Sequence, residues 1–464
     1  MNRMIQLNKA TAVFFVVLGL GCFCLSSTVQ AQLPSPSPDG GYPSDNTAEG
    51  DSALFSNTTG GRNTATGFQA LFSNTTGDNN TATGAFVLVH NTTGTNNTAA
   101  GFEALIFNNG DNNTASGRSA LRDNRTGSAN TANGAFALVD NTTGINNTAN
   151  GFDALFSNNG DDNTANGAFA LSSNTTGINN TANGFQALQN NTTGSANTAN
   201  GFQALVDNTT GVGNTAAGFA ALFVNTTGNR NTATGGFALE FNTTADNNTA
   251  NGFGALNVNT TGSNNTANGY FALLNNTTGS DNVALGFEAG NSQTTGSNNI
   301  YIGSNILGVA GENSACYLAS IFGQSSPDGV PVVINSNNKL GTATSSKRFK
   351  QNIKPMDKSS ESLFALKPVT FHYKSDKSNT PQFGLVAEDV AEVNPGLIVR
   401  DKEGKPYSVR YDQVNAMLLN EFLKEHRKVE QLEKQVAALT AGLQKVSAQL
   451  ELSKPAAQTV LNKQ

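Results

Sequence analysis

The 464-residue chain contains no tryptophan, three histidines and three cysteines, and only 13% of its residues are charged. Each shortage removes a class of function. Three scattered histidines, of which only His90 lies in the central repeats, cannot build an imidazole metal cluster. The calcium-binding GGxGxD pattern is also missing, so neither a metal nor another cofactor is expected. A net charge of −6 offers nothing to a nucleic acid. Cys22 and Cys24 sit in an N-terminal apolar run. Removal of that run leaves Cys316 alone, with no partner for a disulfide inside one chain. The basic residues that are present crowd into one end: 19 of the 27 Lys and Arg lie at or after Ser345. Two physically different regions therefore meet near residue 340.

The N-terminus reads as an export signal over residues 1–31. Arg3 and Lys9 precede the apolar run Ala12–Leu25, which is short for a membrane span, and VQA offers a small-residue cleavage site after Ala31. A retained anchor and lipidation of Cys22 are the alternatives, and Gly19 stands where a lipoprotein signal wants Leu. The membrane is thus expected to matter only through this signal, and the product to be secreted or at the cell surface. Residues 32–45 form a Pro/Gly/Ser linker with nothing to bury.

Sixteen units then begin at Asn46, Asn63, Asn80 and onward to Asn299, spaced by 17 residues with two spacings of 16. Self-similarity of this kind predicts a stacked, quasi-one-dimensional architecture over residues 46–314. Asn, Thr and Gly oppose helix. Seventeen residues at about 3.3 Å each suit one flattened coil of two short strands and two turns, and sixteen coils make a rod on the order of 75 Å long. Stacking predicts apolar ribbons of Ala, Leu and aromatic positions beside hydrogen-bonded Asn and Thr ladders. The tract resembles the β-rolls in the heads of trimeric autotransporter adhesins. Small side chains bury little per coil, so lateral association that covers the Phe and Leu positions is expected. The acids Glu103, Asp140, Asp153, Asp207 and Glu240 are scattered, and none is singled out as a glycosidase carboxylate.

After a neck at residues 315–344, the character changes. TATSSKRFKQNI (Thr342–Ile353), FGLVAEDV (Phe383–Val390) and YDQVNAMLLNEF (Tyr411–Phe422) follow one another. In this order they resemble the endosialidase-type intramolecular chaperone family of self-cleaving tail-spike domains. Members trimerise a fibre and then cut themselves off with a Ser/Lys dyad, immediately before the serine. The resemblance implies Ser345 as nucleophile, Lys350 as base, Thr344–Ser345 as the scissile bond and Arg348 in a supporting role. It also implies a homotrimer. One departure is Ser346, where members often carry Asp; that change puts the rate of cleavage in question. In chemical terms, a serine hydroxyl needs a nearby base. Lysine serves as one only when burial or a neighbouring cation lowers its proton affinity.

Short helices over Ser360–Leu366 and Glu388–Val393 are expected, with strands at Val369–Tyr373 and Phe383–Val386. A hairpin should pair Leu397–Arg400 with Tyr407–Arg410, and Asp412 should cap a final helix. Leu418, Phe422, Val429, Leu432, Val436, Leu439, Leu443, Val446 and Leu450 form a heptad seam stopped by Pro455. The fold class is thus mainly β: a parallel β-solenoid, a small α/β chaperone domain at 345–412, a coiled-coil helix at 413–454 and a tail at 455–464. The expected protein is an exported homotrimeric fibre of structural or adhesive character, with a cell-surface glycan or protein as its ligand. Its self-cleaving peptidase domain acts once, on its own chain. A tail-spike-like polysaccharide-degrading enzyme, or a glycan- or ice-binding adhesin acting through the repeats, is the alternative.

Overall fold

The computed structural model describes residues 43–324 and 329–453. The export signal, the linker up to Tyr42 and Pro455 lie outside the described residues. The chain divides into two compact units at Gln324, described here one at a time.

The first unit is a parallel β-solenoid. Seventeen three-residue strands run from β1 (Thr47–Glu49), β2 (Thr64–Thr66) and β3 (Thr81–Thr83) to β16 (Ile300–Ile302) and β17 (Cys316–Leu318). Equivalent residues pair in register: Thr47 with Thr64, and Ala48 with Ala65. The ladder runs one rung beyond the last Asn-led unit, because Ile300 pairs with Cys316.

Each coil has one strand, not two. The cause lies in the GFxAL half of the repeat, where Gln69 (φ 54°) and Leu71 (φ 53°) alternate with ordinary residues and bend the chain. Left-handed Leu is unfavourable by about 1–2 kcal/mol. It persists because Leu71 is fully buried and its N–H donates to Val87 O at 3.0 Å. Gly67 makes the corner after the strand at φ +134°, where a Cβ would lie 2.2 Å from Gly84 O.

Two alanine columns and one leucine column fill the interior. Beside them run two buried asparagine ladders. In the first, Asn63 Oδ1 accepts from Asn80 N at 2.9 Å, while Asn63 Nδ2 donates to Gly77 O at 2.8 Å. In the second, Asn91 Nδ2 donates to Asn74 Oδ1 at 3.1 Å and to Gly94 O at 2.9 Å. Buried amides are tolerated here because both ends of these side chains are bonded along the ladders, Asn276 Oδ1 at the end of the second being an exception. The expected covering of Leu between chains is therefore corrected: the leucines are buried within their own chain. The aromatic column, by contrast, stands outside.

The two 16-residue spacings keep register by substitution. Normally Thr75 N donates to the backbone oxygen of Thr92 at 3.0 Å in the next coil. Where the next turn is one residue short, Thr92 N donates instead to the side-chain oxygen of Asn109 at 2.8 Å, and Thr142 N to that of Asn159 at 2.8 Å. The missing carbonyl is replaced by an amide. At the far end Gly290 replaces the leucine, and the buried ring of Tyr301 fills the space. Burial pushes the Tyr301 phenol up to about 12.

The second unit begins with a hairpin of β18 (Val332–Ile334) and β19 (Leu340–Thr342). A 3-10 turn, Lys347–Phe349, and a 3-10 helix, Asp357–Ala365, follow. Then come β20 (Val369–Phe371) paired with β21 (Gln382–Gly384), α1 (Ala387–Val393), β22 (Ile398–Arg400) paired with β23 (Pro406–Val409), and α2 (Tyr411–Leu452). Val390, Leu397, Ile398, Val409, Val414 and Met417 form a small core under the start of α2. Asp412 does not cap α2. The helix already begins at Tyr411, whose hydroxyl accepts from Leu385 N at 2.9 Å, and Asp412 lies within the first turn. Beyond the core the seam is bare, with Leu432, Leu439 and Leu443 each exposed. No helix among the described residues is long and apolar enough to cross a membrane.

Candidate active site

A single 3-10 turn arranges the basic cluster after β19. Ser346 caps it, accepting from Arg348 N at 3.5 Å, and Phe349 N donates to Ser346 O at 3.0 Å. Lys350 closes the turn through its own N–H to Lys347 O at 3.1 Å. This reversal carries the Lys350 side chain back toward the start of the turn, where its Nζ donates to Ser345 Oγ at 3.2 Å. The two residues singled out by resemblance are thus neighbours in space. Thr344 directly precedes them, two residues after β19. Arg348 takes a different position: its guanidinium lies 4.6 Å over the Phe349 ring, a cation–π contact that stiffens the turn.

Ser346, the departure from the family pattern, has a local job that Asp would also do. Both residue types are good N-caps because a short side-chain oxygen reaches a free backbone N–H. Ser345, Lys350 and Thr344 are all exposed in the single chain.

A second polar cluster escaped the sequence reading. Ser360, fully buried, donates to the Glu421 carboxylate and accepts from Asn420 Nδ2 at 2.7 Å. Lys424 Nζ lies 2.7 Å from Glu421 and 3.5 Å from Ser360 Oγ. The bonds from Lys424 and then Ser360 hold the Glu421 carboxyl below its ordinary value of 4.5. This is a latch between the 3-10 helix and α2. Sixty-one residues separate Ser360 from Glu421, so no local spacing reveals it.

The scattered acids of the repeats mostly have neighbours in the stack. Asp207 accepts from Asn190 at 2.8 Å, Glu240 from Asn257 at 2.8 Å, and Asp140 lies 3.6 Å from Arg122. Burial raises the Asp140 and Asp153 carboxyls.

Residues 345–399 match the family model for the chaperone of endosialidase. This stretch of the C-terminal unit is thus similar to endosialidase chaperone domains. The match opens on Ser345 itself, the serine whose hydroxyl meets Lys350. No curated protein and no solved structure matches the chain. The chaperone domain behind a long parallel solenoid fits a tail-fibre-like protein.

Proposed function

We propose that the chain is an exported, homotrimeric fibre whose endosialidase chaperone domain gathers three copies and then cuts itself away at Thr344–Ser345. The observation that carries this reading is the 3.2 Å contact between Lys350 Nζ and Ser345 Oγ at the first residue of the matched domain. The Ser345 hydroxyl attacks the Thr344 carbonyl while Lys350, in its neutral form, takes the hydroxyl proton. The C–N bond breaks as the proton passes to the leaving nitrogen, which becomes the free α-amine of Ser345. The Thr344 acyl group is then an ester on Ser345 Oγ. Water hydrolyses that ester, releasing a fragment that ends in the Thr344 carboxylate.

An exposed lysine is a poor base at neutral pH. Burying it destabilises the ammonium form and releases the amine. Assembly would supply that burial, which makes cutting contingent on gathering. With the chaperone gone, the solenoid cannot readily retrace its assembly and is held kinetically. Secretion or display at the cell surface, and a surface glycan or protein as ligand, belong to the same proposal. Intact mass of the wild type and of Ser345→Ala tests the reading. Two fragments joining at Thr344–Ser345 in the first and one uncut chain in the second support it; cutting in both, or in neither, overturns it.

A further inference from the structure

From Phe68 to Phe287 every coil but one carries an aromatic ring in the two slots after its corner glycine, on the outside of the solenoid. The sequence maintains the column by exchange between those slots; one coil fills both, with Tyr270 and Phe271. Where the first residue after the corner glycine is Phe, the second is polar or small, as in Phe102–Glu103 and Phe185–Gln186. Where the first is Ala or Gly, the second is Phe, as in Ala85–Phe86 and Gly236–Phe237. The rings form a column from Phe68 to Phe287, with steps of 5.1–6.0 Å between successive centroids. Inside that column the coil without a ring has Arg118, whose guanidinium lies 5.5 Å over the Phe136 ring.

Nine rings of this column are 40–48% exposed. An aromatic side chain presents roughly 150–250 Å2, so these nine leave on the order of 800 Å2 uncovered. One partner in a stable protein interface contributes about the same area. The leucines cannot be what association covers, since they are already inside.

We infer that this column is the surface along which copies of the same chain pack side by side. The inference rests on the assembly reading above and specifies which face meets which. Ring geometry argues against a sugar as the occupant. From Phe185 through Phe202 to Phe219 the rings stack face to face at 5.3–5.4 Å, while most other steps of the column meet edge to face. Even the nine most open rings are more than half covered, which limits the face on which a pyranose could stack. Polar neighbours such as Glu103, Asp153 and Gln203 flank the rings and disfavour burial in lipid. A second copy with the same spacing meets both features: its rings interdigitate by their edges, and its polar flanks remain in water.

The test is cysteine cross-linking of the full chain with Cys22, Cys24 and Cys316 replaced by serine. One variant carries Phe219→Cys, on the column; the other carries Thr215→Cys, on the strand face of the same coil. Light scattering gives the copy number. Thiols held adjacent reach roughly millimolar effective concentration, so Phe219→Cys should form the inter-chain disulfide at least tenfold faster than Thr215→Cys. Equal rates, or faster linking through Thr215→Cys, overturn the inference. A multimer in which neither links also overturns it, and leaves the assembly reading standing with contacts elsewhere. A monomer by light scattering overturns both.

Discussion

Lys350 reaches back across one 3-10 turn to place its amine 3.2 Å from the hydroxyl of Ser345. Removal of either group should abolish cutting without preventing assembly. Ser345→Ala and Lys350→Ala leave an uncut multimer, and Lys350→Arg does the same because a guanidinium gives up no proton in this range. Ser346→Ala loses only a cap worth about 1 kcal/mol and should cut nearly normally. N-terminal sequencing of the small fragment checks the site: a start at Ser346 instead of Ser345 would show that the wrong serine is assigned.

The bare seam of α2 makes a second expectation. Leu432→Asp together with Leu439→Asp sets charges on the stripe that assembly would bury. Assembly and cutting should fail together. A variant that remains monomeric by light scattering yet cuts fully would separate the two processes and sink the proposed coupling.

In the rod, Asn197 Oδ1 accepts from Asn214 N at 2.9 Å and Asn197 Nδ2 donates to Gly211 O at 2.8 Å. Asn197→Ala leaves the buried Asn214 N–H without a partner, at about 1–3 kcal/mol, while Gly211 O keeps its bond from Asn208 Nδ2. A lowered unfolding midpoint in denaturant is the expected result. A midpoint equal to that of the wild type would mean that the ladders add little.

Deletion of one whole coil, Asn180–Ala196, should leave folding intact, because every later residue lands on its own column. An eight-residue deletion in the same place should not be tolerated. Equal melting temperatures for the two would contradict stacked coils.

The Ser360 latch carries a pH dependence. Bonds from Lys424 and Ser360 depress the Glu421 carboxyl in the folded chain, so its contribution is present above the unfolded value near 4.5 and lost as pH falls through the folded one. Between neutral pH and that window, Glu421→Gln should lower the melting temperature; further into acid, the gap to the wild type should narrow. A gap that stays constant throughout would assign the latch to packing.

Much of this was legible because a repeat announces its own periodicity. Asn at position one of each unit predicted a ladder, and the ladder formed. The second strand of each coil was misread. GFxAL looks extended on paper, and nothing in the letters shows that Leu71 and Gln69 adopt left-handed backbone. Nor does composition tell inside from outside: Leu71 and Phe68 are both apolar, yet Leu71 is buried and Phe68 is 42% exposed. At the C-terminus, Ser345 and Lys350 were read from a family pattern. Their contact depends on a five-residue reversal, too short for periodicity to detect. Ser360 and Glu421 had no signal at all, since only tertiary folding unites them.

Asn109 and Asn159 show that a coil can lose a residue at its turn and still hand an acceptor to the coil before it. Register therefore survives local editing, and each coil bonds only to the coils on either side. Near-identical neighbours also invite unequal exchange in the gene, which would add or drop coils as whole quanta. Each such event would change reach by about 4.8 Å and disturb neither the first coil nor the region that holds Ser345. Rod length is thus set by the number of coils and is separable from the fold of any one of them.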